Sequence, residues 1–224
     1  WSTTAPSITH VSEGPLAVQV RASNANYDTV YCNYTLTITQ KALTIAAQAK
    51  TYTYNASAQG PEGTYTTGLD TYVEVTGLVG SDVLTSITLA GAQTNVGVYT
   101  GEIVPSAAAI GSYTTNYDIT YTPADLTIHQ KELTITVIDQ QFVYNNDAQG
   151  ENNATYTHAT EIASKVSVEG LEGSDALTSI KLNGHQTAVG EYTGEIVASD
   201  ATVGANTANY DISYVPGKLT ITPR

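Results

Sequence analysis

The segment Lys41-Ala-Leu-Thr-Ile45 returns 90 positions later as Lys131-Glu-Leu-Thr-Ile135, and Tyr54-Asn-Ala-Ser-Ala-Gln-Gly60 returns as Tyr144-Asn-Asn-Asp-Ala-Gln-Gly150. Further on the spacing is 93. Val75-Thr-Gly-Leu-Val-Gly-Ser-Asp82 answers to Val168-Glu-Gly-Leu-Glu-Gly-Ser-Asp175, and Tyr99-Thr-Gly-Glu-Ile-Val104 to Tyr192-Thr-Gly-Glu-Ile-Val197. Asn116-Tyr-Asp-Ile119 and Leu126-Thr-Ile128 match Asn209-Tyr-Asp-Ile212 and Leu219-Thr-Ile221 in the same way. A chain built twice from one pattern folds as two similar units, so side chains shared by both copies are framework candidates. The change of spacing places a three-residue insertion between Gly150 and Val166, read here as a loop. The division is then 1–40, 41–130 and 131–224. In the first stretch Asn26-Tyr-Asp28 and Leu36-Thr-Ile38 match only the end of a copy.

Within a copy the apolar residues alternate. Leu43, Ile45 and Ala47 fall on one side of an extended chain, and so do Tyr117, Ile119 and Tyr121, repeated as Tyr210, Ile212 and Tyr214. A period of two is the mark of a strand with one buried face. About seven short strands per copy result, punctuated by Gly, Asn-Gly-like and Ser-Asp turns. The expected class is all-β: tandem antiparallel β-sandwich domains of the immunoglobulin-like kind, arranged end to end. The alternative is a β-grasp-like repeat, which needs a helix. Only 61–72 and 151–165 have room for one; the first carries Pro61, Gly63 and Gly68, and the second lacks an apolar stripe at helical spacing. A short helical turn at Ser81-Asp82 and Ser174-Asp175 fits capping by Ser or Asp. The joints from Ile38 to Leu43 and from Ile128 to Leu133 contain no Gly or Pro and leave little slack.

Charge bears on partners. There are 21 Asp and Glu against 8 Lys and Arg, a net charge of −13, which repels phosphate backbones and anionic lipid. Nucleic acid is therefore not an expected partner. No apolar run approaches the length of a membrane span, so no insertion of this segment is expected. Of 18 aromatics 16 are Tyr, Met is absent, and one cysteine cannot close an intrachain disulfide, so a packed core must stabilise the fold.

Catalytic motifs are missing: there is no nucleophile elbow, phosphate loop or dinucleotide fingerprint. His10, His129, His158 and His185 lie singly, and no enzyme, cofactor or metal is expected. The recurring acids Glu102 and Glu195, Asp82 and Asp175, and Asp118 and Asp211 read as turn formers and solvated faces, since calcium needs six to eight converging oxygens. Lys41 and Lys131 with Glu102 and Glu195 and Asn116 and Asn209 match the residue set of an intramolecular Lys-Asn isopeptide bond, which an intact mass would reveal. Tyr99, Tyr117 and Tyr121 with Tyr192, Tyr210 and Tyr214 read as core rings with tethered hydroxyls. Ligand-binding positions are unassigned; the aromatics special to one copy, Tyr72, Tyr113 and Trp1, and the region of His158 are the candidates for a glycan or protein contact. Cys32 reads as a small buried or half-buried strand residue.

Six motifs in fixed order, twice over, resemble the MBG repeat family of multi-repeat bacterial surface proteins and adhesins. The likeness spans most of 41–222 and the end of the first stretch. It implies an extracellular location, at a bacterial cell surface or wall, and a structural stalk or spacer. The alternative is an adhesion module for a host or dietary glycan or a surface protein. A monomer is expected.

Overall fold

The computed structural model describes residues 5–224. A hairpin comes first, β1 (Leu16–Asn24) and β2 (Tyr27–Leu36). The first copy contains β3 (Lys41–Ala47), β4 (Lys50–Thr53), β5 (Gly63–Tyr65), β6 (Val73–Thr76), β7 (Ser86–Ala90), β8 (Gly97–Ala109), β9 (Tyr117–Thr122) and β10 (Ala124–His129). The second repeats the order as β11 (Lys131–Val137), β12 (Gln140–Val143), β13 (Gln149–Tyr156), β14 (Val166–Glu169), β15 (Ser179–Gln186), β16 (Gly190–Thr202), β17 (Tyr210–Val215) and β18 (Gly217–Thr222). The all-β class is borne out, with eight strands per copy where the alternation suggested seven.

Two compact units emerge, and their borders do not follow the sequence copies. The first runs up to Lys50 and takes in Gly60–Ala92 and Tyr99–Leu126. The second comprises Thr51–Gln59, Gln93–Val98 and Thr127–Arg224. The Tyr54 motif of the first copy thus belongs to the unit built mainly by the second.

In the second unit β14-β11-β17 form one sheet and β12-β18-β16-β15-β13 another. These sheets are mixed, which corrects the expectation of purely antiparallel pairing. Strand β11 runs antiparallel to β14 but parallel to β17, from Lys131 opposite Tyr210 to Thr136 opposite Val215, and β12 runs parallel to β18. In the first unit β3 likewise lies between antiparallel β6 and parallel β9. Side-chain alternation reports which face is buried but carries no information about strand direction.

The apolar alternation sets the core. Leu133, Ile135, Ile180, Leu182, Ile196 and Leu219 are wholly buried, as are Leu43, Ile45, Ile87, Ile103 and Leu126 in the first copy. Each such side chain contributes about 1.5–3 kcal/mol on leaving water. The insertion between Gly150 and Val166 is not a loop. It lengthens β13, which bulges between Glu151 and Ala154, and leads into the helix α1 (Ala159–Lys165). That helix buries only Ile162, so it carries no apolar stripe for sequence periodicity to detect. The first copy has instead a single 3-10 turn at Leu69–Thr71.

The hairpin stands apart in its exposure. Leu16, Val18, Val20 and Ala22 lie opposite Leu36, Tyr34, Cys32 and Val30, one apolar face of a two-stranded ribbon. Val20, Val30 and Tyr34 are more than half exposed. Cys32 is exposed too, against the expectation of burial, because no second layer among the described residues covers this ribbon. Tyr27, the sequence counterpart of buried Tyr117, is 78% exposed at the hairpin turn.

Candidate functional site

The joints are pinned from the side. Gln40 donates its Nε2 to the carbonyls of Thr115 and Tyr117, and Gln130 does the same to Ala208 and Tyr210, all at 3.0–3.1 Å. One glutamine therefore ties each entering strand to the 3-10 turn preceding the late strand, Gly111–Asn116 or Gly204–Asn209.

At the end of each turn an asparagine clasps another segment. Asn209, 4% exposed, accepts from the Val96 amide at 2.9 Å and donates to Asn95 Oδ1 at 3.1 Å. Asn116 accepts from the Val11 amide at 3.0 Å and pairs with His10 Nδ1 at 2.9 Å. The same carboxamide geometry recurs with different partners, so these asparagines act as clasps. Lys131 is engaged by Glu172 at 2.7 Å, and Glu195 accepts from Gln186 at 2.9 Å. Lys131, Glu195, Asn116 and Asn209, four members of the isopeptide set, thus have other partners, and Lys41 lines a cavity described below.

Next to each clasp lies a tyrosine-aspartate pair. Tyr210, buried, donates to Asp175 Oδ2 at 2.7 Å and accepts from the Glu172 amide at 3.0 Å. Tyr54 donates to the same Oδ2 at 2.9 Å, its ring edge-on to Tyr210 with centroids 5.4 Å apart. Asn206 adds a third donor at 2.7 Å to Oδ1. Burial raises the Asp175 carboxyl, but the three donors outweigh it and hold the group below the ordinary aspartate value. Burial and then the adjoining carboxylate push the Tyr210 phenol up to about 12. Tyr117 and Tyr210 are core rings with tethered hydroxyls, as expected, whereas Tyr99, Tyr121 and Tyr192 are half-buried and Tyr214 is exposed. The aspartates are more than turn formers, for they are the tethers. In the first unit Tyr117 donates to Asp82 Oδ2 at 2.6 Å and accepts from Val79 at 3.0 Å, but among the described residues Asp82 receives no Tyr54-like hydroxyl. The expected helical turns here are single turns, closed by Asp82 N on Val79 O and Asp175 N on Glu172 O.

The other tyrosines also serve packing. Tyr121 and Tyr214 accept from the amides of Ala108 and Ala201, and Tyr192 donates to the Ala188 carbonyl. Tyr72 tilts against Tyr65 at 4.1 Å, with the Lys50 ammonium 5.4 Å from its ring. Tyr113 stacks on His10 at 5.2 Å, and Trp1 lies outside the described residues. His158 is the N-cap of α1. Among the described residues, Tyr72 and Tyr113 pack on different partners and form no joint platform.

Where the first copy uses Tyr65, Tyr72 and Lys50, the second has an ionic cluster that sequence reading did not single out. Glu151, 4% exposed, accepts from Lys165 and Gln140 at 2.7 Å and from Tyr156 at 2.5 Å. Burial raises its carboxyl, yet these donors keep it below the ordinary value; Lys165 is lowered by burial but raised further by Glu151. The depressed carboxyl contributes stability that is complete above its unfolded value near 4.5 and is lost as pH falls through the folded one. Glu151→Ala is expected to destabilise the second unit by about 2–4 kcal/mol. Urea unfolding should show the acid limb shallower in the variant; an unchanged midpoint would refute the role.

No group of three or more His, Cys, Asp or Glu side chains is arranged to hold a metal ion among the described residues. No described helix is long and apolar enough to cross a membrane. No curated protein and no solved structure matches the chain. The family model for the MBG domain of the YGX type matches twice, at 43–127 and 133–220, and with most of its length so covered the chain belongs to that family.

Proposed function

We propose that this chain is a non-enzymatic spacer of a bacterial cell-surface protein or adhesin, built from two-layer β-domains and projecting another domain outward. One observation supports it most directly. Tyr54, from the motif of the first copy, is 2% exposed inside the second unit and bonded to Asp175, so the core of that unit takes in a segment of the first copy. Gln40 and Gln130 fix the entry to β3 and β11 within their own units, and membership of a family of surface-protein repeats agrees with the spacer reading. Glycan or protein adhesion is less favoured because Tyr72 and Tyr113 are already packed against neighbouring side chains.

The test is a display experiment. Placed beneath a reporter domain on a cell, residues 41–222 are expected to improve access to a bulky immobilised ligand more than a Gly/Ser linker of equal residue number, because a flexible chain extends only with the square root of its length. Saturable binding of a glycan by the chain itself, lost in Tyr72→Ala or Tyr113→Ala, would replace this reading with the adhesive one.

A further inference from the structure

The two tyrosine-aspartate sites differ in occupancy. In the second unit Tyr54 fills the place beside Asp175 and Tyr210, and the Ala56 Cβ sits over Gly173, 2.9 Å from where a side chain on that glycine would begin. The matching position in the first unit is a cavity of ≈ 420 Å³ lined by Lys41, Gly80, Asp82, Asn116 and Tyr117, with His10 and Tyr113 also on its wall. Gly80 has nothing within 4 Å of an added Cβ. Among the described residues Asp82 has one side-chain donor where Asp175 has three, and it faces this space.

A matching plug is present on the same chain. The 144–150 segment repeats the motif of 54–60 and is folded the same way. Ala56 and Asn146 both have left-handed backbone, at φ 60° and 72°. Asn55 and Asn145 accept from the amides of Ser57 and Asp147, while Gln59 and Gln149 donate to the carbonyls of Thr53 and Val143, both at 3.0 Å. Tyr54 is buried, whereas Tyr144 is only half-buried, its hydroxyl on Asn146 of its own loop at 3.0 Å.

The open socket and the Tyr144 loop also differ chemically from the filled socket and the seated Tyr54 loop. Val79 and Val83, 53% and 61% exposed, stand where the filled site has Glu172 and Ala176. Val143, 57% exposed, stands where the seated plug has Thr53. The plug carries Asp147 in place of Ser57, a carboxylate suited to a socket lined by Lys41, whose counterpart Lys131 is paired with Glu172. Exposed valines and complementary charge at both places favour association over solvation.

We propose that the Tyr144 loop of one molecule docks into the Asp82–Tyr117 socket of a second copy of this chain, with the Tyr144 hydroxyl passing from Asn146 to Asp82. The seated Tyr54 is the template, so the inference rests on the two sockets and not on the spacer reading. Plug and socket are different surfaces, so the contact is head to tail and does not close on itself as a twofold interface does.

Sedimentation velocity on the full chain over a concentration series tests this. Expected are dimers and longer species that grow with concentration, and an affinity weakened roughly tenfold or more by Tyr144→Ala. Gly80→Asn, which suits left-handed backbone while filling the cleft, should have the same effect with an unchanged thermal midpoint. Mixing the two variants is the decisive arm, since one retains a socket and the other a plug: the expected product is a one-to-one dimer that grows no further. A chain that stays monomeric throughout, or association that survives Tyr144→Ala, would overturn the proposal. The latter would place the contact elsewhere, such as the apolar face of the hairpin.

Discussion

Asp175→Ala is expected to cost about 2–4 kcal/mol, because two buried phenols, Tyr54 and Tyr210, lose their common acceptor together with the Asn206 amide. Asp82→Ala should cost only about 1–2 kcal/mol, since among the described residues one side chain, Tyr117, donates to that carboxylate. The two aspartates occupy the same place in the repeat, so the comparison cancels what the turn itself requires. Urea unfolding followed by tyrosine fluorescence gives both numbers, and equal losses would mean that Tyr54 contributes nothing through its hydroxyl. The pH dependence has two limbs. Asp175, depressed in the fold, contributes stability present above its unfolded value near 3.8 and lost as pH falls through the folded one. Tyr210, raised, contributes stability complete below about 10 and lost as pH climbs towards 12. In Asp175→Asn both limbs should flatten.

A larger effect is expected from one methyl group at Gly184. Its φ of +141° is one that side chains rarely adopt, and an added Cβ would lie 2.1 Å from the Glu195 carbonyl oxygen and 2.8 Å from the Ile196 Cα. Both obstacles are backbone of the neighbouring strand and cannot rotate away. Gly184→Ala should therefore cost about 4 kcal/mol or more and disrupt the pairing of β15 with β16. Gly63→Ala is the control: its φ is +106° but its added Cβ meets nothing within 4 Å, so only the backbone penalty of about 1–2 kcal/mol applies. Urea midpoints separate the two, and costs within about 1 kcal/mol of each other would disprove the close-approach argument.

These residues show what the sequence carried and what it withheld. The copies, the buried alternation of Leu133 and Ile135, and the tethered rings of Tyr117 and Tyr210 were legible because each depends on local spacing or on recurrence. Asn183-Gly184 reads as turn punctuation, yet it lies within β15, where the glycine is needed for contact with a strand eleven residues further on. Asp175 reads as a turn aspartate because its partners are 35 and 121 positions away. Glu151 hides for a similar reason, its charge compensated by Lys165, 14 positions on at the last residue of α1. The helix α1 escaped because seven residues with one buried side chain leave no periodic trace. Recurrence says that a residue matters to the framework; only the fold says which neighbour it answers to.

The parallel alignment of β3 with β9, and of β11 with β17, has a mechanical corollary. A strand from the start of each copy lies beside one from near its end, pointing the same way. Tension applied at the start of β3 or β11 and at the end of β9 or β17 would drag these neighbours past each other along their length, loading the whole ladder of hydrogen bonds at once instead of peeling it rung by rung. Such shear geometry resists extension far better than a hairpin opened at its mouth, which is the way β1 and β2 would part if pulled by their outer ends.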